Sequence, residues 1–208
     1  MDIEYKVKQV TKLYESCNKC GVPSINCICS EAPRLETAAQ IWILSSEKEL
    51  VRPTNTARIL KLANEDSTEI FVWERTKPPE ALIKRLQSKE YDVYLLFPTD
   101  EESKYRAVEF RISNKPTAFI IIDGTWQEAK KIFNRSPYLA EIPMLSLKIE
   151  EKSSFQLRRG IADGGICTIE VAVEVLKLNG EDSKANTLKE YFHLFQDSFR
   201  CGASGHKR

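Results

Sequence analysis

The stretch AFIIIDGTW, residues 118–126, decides the fold. Five apolar residues in a row, with no polar residue alternating between them, suit a strand buried on both faces, as in a parallel sheet. Asp123 then falls at the carboxyl end of that strand. A helix is predicted from about residue 125 to 134, stopped before Pro137. Open α/β sheets bind ligands beyond the carboxyl ends of their strands, so Asp123 is the candidate catalytic group. Gly124 lets a ligand come close to the backbone. The N–H groups near Thr125 and Trp126 are expected as donors at a helix N-terminus. The same residues also suit a plain helix cap followed by a core tryptophan.

Outward from this stretch, strands and helices alternate. Residues 39–44, 70–73 and 93–97 read as three earlier strands, the last closed by Pro98, and 145–149 as a further one. Residues 54–62 form a short predicted helix with Pro53 at its start and Thr54 or Asn55 as N-cap. Pro78-Pro79-Glu80 opens another helix. Residues 168–178 make a strongly apolar helix ended near Gly180, and 184–195 a final one. The fold class expected is α/β, a largely parallel sheet flanked by helices. The exits of the other strands matter for the same reason as Asp123. Leu96-Phe97-Pro98 is a sharp one, and the glycine-rich loop 160–167, ending at Ile166 and Cys167 before Thr168, is wide enough to wrap a flat ligand. Glu170, just inside the apolar helix, suits a cap or a ligand contact equally.

The chain has 208 residues, enough for one domain with a small appended module. Lys and Arg number 31 against 30 Asp and Glu, a formal charge of +1, which excludes a histone-like binder but not a local basic face. Basic residues gather at Lys104, Arg106, Arg111 and Lys115, at Lys130 and Lys131, at Arg158 and Arg159, and at Arg52. A phosphate backbone would match such faces. The longest apolar run is about a quarter of what a bilayer needs, and the first 30 residues carry no apolar signal region. A cytoplasmic protein is expected. Two histidines, His193 and His206, do not support a histidine-based triad or a zinc hydrolase site, and no Walker A or spaced-glycine dinucleotide motif occurs.

Four of the six cysteines lie in CNKCGVPSINCIC, residues 17–29, as Cys17, Cys20, Cys27 and Cys29. In a reducing compartment such a cluster is a metal site more often than a disulfide pair. Four thiolates fill a tetrahedral zinc completely, so the site would be structural, with no open position for substrate. Residues 1–34 are thus expected as a zinc-binding segment, 35–200 as the α/β domain and 201–208 as a flexible basic tail.

These motifs together resemble the DTW-domain family. The quartet Asp123-Gly124-Thr125-Trp126, continued as QEAKKIFNRSPYL, is similar to the motif that names it. CNKCGVPSINCIC, RPTNTARIL from Arg52, LLFP from Leu95, and FQLRRG followed by GGICTIEVAVEVL complete the pattern in the family's order. The resemblance implies a tRNA-uridine aminocarboxypropyltransferase with a SPOUT-like domain and a C-terminal trefoil knot. The implied reaction transfers the 3-amino-3-carboxypropyl group of S-adenosylmethionine (SAM) to N3 of a tRNA uridine, giving acp3U and methylthioadenosine. Asp123 would serve as base, or would orient N3–H or the SAM ammonium. The adenosine would lie among Leu96, Phe97 and Pro98, Gly124, Thr125 and Trp126, and Ile166, Cys167 and Thr168. Arg52, Asn55, Thr56, Lys130, Arg158 and Arg159 would meet tRNA phosphates or the SAM carboxylate. The partners implied are tRNA, with no membrane and no DNA, and the expected state is a monomer. One departure stands out: relatives often carry a histidine near the place of Ser45 and Ser46. Two other readings fit the motifs, a SPOUT-type RNA methyltransferase and a zinc-binding RNA module without activity.

Overall fold

A computed structural model describes residues 5–101, 103–147, 153–157 and 166–208. Strands β1 (Gln40–Ser46), β2 (Thr68–Trp73), β3 (Asp92–Leu96), β4 (Thr117–Asp123) and β5 (Met144–Leu145) form one sheet in the order β2-β1-β4-β3-β5. Every pairing is parallel. Strand β4 lies in the middle and is buried along its whole length, as its unbroken apolar run requires.

Helices α1 (Glu47–Leu50), α2 (Thr56–Ala63), α3 (Glu80–Ser88), α4 (Trp126–Asn134), α5 (Thr168–Leu178) and α6 (Asp182–Ala203) cover both faces. Alternation along the strands sorts the core into two layers. Ile41, Ile43, Phe119 and Ile121 face α2, α5 and α6, whereas Trp42, Leu44, Ala118 and Ile120 face α3 and α4. Burying each large apolar side chain contributes roughly 1.5–3 kcal/mol, and the central strand supplies both layers.

Several boundaries differ from the sequence reading. Helix α6 runs well beyond residue 195 because Phe195, Phe199 and Gly202 keep one stripe buried. The last residues are not a loose tail: 201–203 finish α6, and Arg208 reaches back to Glu31 at 2.8 Å and to Ser198 Oγ at 2.8 Å. Its backbone N–H also donates to Asn26 Oδ1 at 2.8 Å. The fifth strand starts at Met144 and is two residues long; of its predicted span, Ser146 and Leu147 lie beyond the strand and 148–149 lie outside the described residues. The cysteine segment is not a separate lobe, since Cys20, Val22 and Ile28 share a core with Phe192 and Phe195 of α6. Among the described residues no helix is long and apolar enough to cross a membrane.

Candidate active site and metal centre

The chain leaves β1 toward β2 on one side and leaves β4 toward β5 on the other. The crevice between the carboxyl ends of these two adjacent strands is therefore the topological switch point, where open parallel sheets bind ligands. Ser45 and Asp123 face each other there in register.

Asp123 is 1% exposed. Its Oδ2 accepts from Ser45 Oγ at 2.7 Å and from Asn55 Nδ2 at 2.7 Å, and its Oδ1 accepts from Thr168 Oγ1. Three of the roughly four acceptor positions of the carboxylate are thus taken by neutral donors. The donors come from β1, the start of α2 and the start of α5. Each arrives for a local reason. Asn55 is the N-cap of α2, its Oδ1 accepting from Arg58 N–H at 3.2 Å, which leaves its amide nitrogen for Asp123. Thr168 opens α5, where Glu170 caps the first turn by accepting from Cys167 N–H at 2.9 Å. Glu170 also accepts from Ser153 Oγ and Ser154 N–H, both at 2.7 Å. Of its two expected roles, Glu170 takes the cap.

The helix N-terminus after Gly124 is not the open anion site expected from the sequence. Thr125 and Glu128 form a reciprocal capping box, in which Glu128 Oε2 accepts from Thr125 N–H at 2.9 Å and from Thr125 Oγ1 at 2.6 Å. The carboxylate of Glu128 sits where a ligand anion would. Burial pulls that carboxyl upward, but the bonds from Thr125 and the nearby Arg52 outweigh it and hold it below its ordinary value. Gly124 has φ +155°, which L side chains rarely adopt, and a Cβ there would lie 3.1 Å from Glu128 Cβ, so the bend favours glycine.

The three expected ligand loops do come together. The Phe97 ring stacks on Trp126 with centroids 5.3 Å apart, and Thr168 bonds Asp123. Leu96, Phe97, Cys167 and Thr168 are nearly buried, Gly124 and Ile166 are half-buried, and Pro98, Thr125 and Trp126 are exposed. The expected tRNA contacts divide. Lys130 is exposed. Arg52 lies between Glu49, at 2.5 Å, and Glu128, at 3.7 Å. Asn55 and Thr56 are buried, at 0% and 1% exposure, and Thr56 Oγ1 accepts from Ile169 N–H. They cannot meet tRNA phosphates, because capping and helix packing consume them. Arg158 and Arg159 lie outside the described residues.

The sequence reading missed Ser45 as a partner of Asp123, and Glu49 and Glu128 around Arg52. The Thr-x-x-Glu spacing of residues 125–128 was a legible capping signal. Ser45 carried no signal of its own, since its role depends on the register of β1 against β4.

The cysteine cluster is tightly built. Cys17 and Cys29 sulfurs are 3.7 Å apart, Cys20 and Cys27 sulfurs 3.8 Å, and all four lie within 4.8 Å of one another. A tetrahedron with sulfur about 2.3 Å from its centre has edges of roughly 3.8 Å, so the sulfurs already span a zinc-sized cage. The Cys17–Gly21 turn closes with Gly21 N–H on Cys17 O at 2.8 Å. Gly21 has φ +80°, and a Cβ there would lie 2.2 Å from Pro53 O. From the other side, the Arg58 guanidinium donates to the carbonyls of Asn18, Lys19 and Leu50. The cluster thus leans on the segment that delivers Asn55 to Asp123.

A parallel five-strand α/β sheet with a buried carboxylate at its switch point and a four-cysteine cage defines the class of this protein. The DTW domain matches residues 14–200, and the chain belongs to that family. It is 29% identical over 166 residues to "tRNA-uridine aminocarboxypropyltransferase 2" of Drosophila melanogaster, covering 77% of this chain and 64% of that protein. Proteins of the same name from Macaca fascicularis and Mus musculus are each 22% identical over 165 residues, covering 78% of this chain and 55% of theirs. The chain thus spans a little over half to nearly two thirds of the length of these relatives. No solved structure matches it.

Proposed function

We propose that this protein transfers the 3-amino-3-carboxypropyl group of SAM to N3 of a tRNA uridine. The observation that carries the reading is that the exit of β4 joins the start of α5 through Asp123 and Thr168 and the exit of β3 through Trp126 and Phe97, in a chain whose relatives bear that activity's name. SAM would supply an electrophilic γ-carbon, whose bond to sulfur breaks as N3, its proton passed to solvent water, bonds to that carbon and methylthioadenosine departs. Leu96 to Pro98, Gly124 with Thr125, and Ile166 to Thr168 would hold the adenosine. Lys130 and Arg52, with Arg158 and Arg159, would meet phosphate or carboxylate charge. The knotted SPOUT-like arrangement belongs to the same reading and is supported by the parallel order of the five strands.

Asp123 fits positioning better than proton abstraction. A base must come within about 3 Å of the proton it takes, and this carboxylate is enclosed by three donors of the protein itself. Its work is to fix Ser45, Asn55 and Thr168, so that the loop ends around the cofactor keep one geometry. Zinc in the four-cysteine cage would be structural, with all positions filled.

The test is incubation with SAM and tRNA from cells lacking acp3U, followed by nucleoside mass spectrometry. Uridine heavier by an aminocarboxypropyl group, with one equivalent of methylthioadenosine, is expected. Methylated uridine with S-adenosylhomocysteine would replace this reading with a methyltransferase, and neither product across varied tRNAs would leave an RNA-binding protein.

A further inference from the structure

Trp126 is 59% exposed, although it stands only three residues from the buried Asp123. It is not loose. Trp126 and Phe133 are two turns apart on α4, about 10 Å along the axis, and Phe97 fills the gap between them. The Phe97 ring is 5.3 Å from Trp126 with the planes 11° apart, and 4.5 Å from Phe133 with the planes 7° apart. The Arg106 guanidinium lies 5.7 Å over the Phe133 ring and is itself fixed by the carbonyls of Leu139 and Ile142. Four planar groups therefore form one held stack, and its Trp126 end faces solvent.

Exposing an indole forgoes the stabilisation that burying it would gain; on this sheet face Trp42 is 1% exposed and Trp73 is partly buried against the same layer. What the open end fits is another flat group. The exposed Lys130 lies one turn further along the same face of α4, so the surroundings favour a planar group that carries a phosphate. We propose that the outer face of Trp126 is a stacking platform for an unpaired nucleobase of the tRNA, the target uridine or its neighbour. The inference rests on the tRNA-uridine reading above. It differs from an adenine site for SAM because small ligands bury most of their surface in concave pockets, whereas this face is open to a large partner. Single-stranded bases are commonly held by stacking on exposed aromatic side chains.

The test measures tRNA and SAM affinities separately for the wild type, W126F and W126L, with folding checked by circular dichroism and thermal melting. W126L keeps apolar bulk against Phe97 but removes the π-face, and W126F keeps a ring. Removing one stacked base should weaken binding by roughly 5- to 100-fold. The expected result is that loss for tRNA in W126L, near-complete recovery in W126F, and SAM affinity unchanged in both. Titrating wild type with tRNA should also quench the exposed tryptophan emission, and W126F should lose that quenching. Undiminished tRNA affinity in W126L overturns the platform, and a loss confined to SAM affinity overturns it in favour of an adenine site. If wild type binds tRNA with quenching but forms no modified uridine, the transferase reading fails and the platform stands. If product forms and W126L binds tRNA as wild type does, the reverse holds.

Discussion

Asp123 accepts hydrogen bonds from three separate elements, which makes it the residue most sensitive to a change that keeps its shape. Asp123→Asn puts an amide N–H₂ where one or two donors already point. Leaving buried donors unpaired costs about 1–3 kcal/mol, so D123N should melt at a lower temperature and lose turnover by orders of magnitude. A positioning role predicts that the pH–rate profile of D123N keeps its shape at a lower plateau, whereas loss of the low-pH limb, where a base is silenced by its proton, would make Asp123 the base. Thr168→Val and Ser45→Ala remove single donors and should each cost about 1 kcal/mol, with a milder loss of product. Glu170 gives a prediction with a sign. Burial raises its carboxyl, but the N–H of Cys167 and the hydroxyl of Ser153 lower it further, and the net value lies below the ordinary one. Its stabilisation is therefore present above the unfolded-state value and lost as pH falls through the lower folded value. Glu170→Gln should cost about 1 kcal/mol at neutral pH in chemical denaturation, and the two proteins should converge in acid.

Among the elements, the Cys17–Gly21 turn and the start of α2 form one unit. Gly21 combines a positive φ with direct contact on Pro53, so Gly21→Ala must push the turn and the α2 entry apart. At least about 2 kcal/mol should be lost, together with zinc affinity, which a competition assay with a chromogenic chelator reads out. The turn would also set the pH dependence of a bound metal. Without metal, the Cys20 thiol is pushed up to about 12, first by its hydrogen bond with Cys17, and Cys29 is pushed up by the same residue. Loading the ion must displace those protons, so zinc affinity should fall as pH falls, with proton release visible in calorimetry across buffers of different ionisation heat.

For the molecule as a whole, the cysteine segment, α5 and α6 share one core, so metal should stabilise the entire chain and not the first thirty residues alone. Chelation, or Cys20→Ser, should lower the midpoint of a single melting transition by about 5 °C or more; two separate transitions would show an independent module. The sequence by itself determined the class of fold, because an apolar run as long as residues 118–122 is soluble only when both faces are covered, and because Gly and Pro mark where strands and helices end. It also determined the four-cysteine cage, whose ligands are close in the chain. It located Asp123, since a strand end is a local property. Only the tertiary structure decided what surrounds that carboxylate. Ser45, Asn55 and Thr168 lie 78, 68 and 45 residues away in the chain, and strand register and helix docking, which depend on all the packing at once, bring them to one point. The same non-local packing buried Asn55 and Thr56, tied down Arg208, and left the outer face of Trp126 in water.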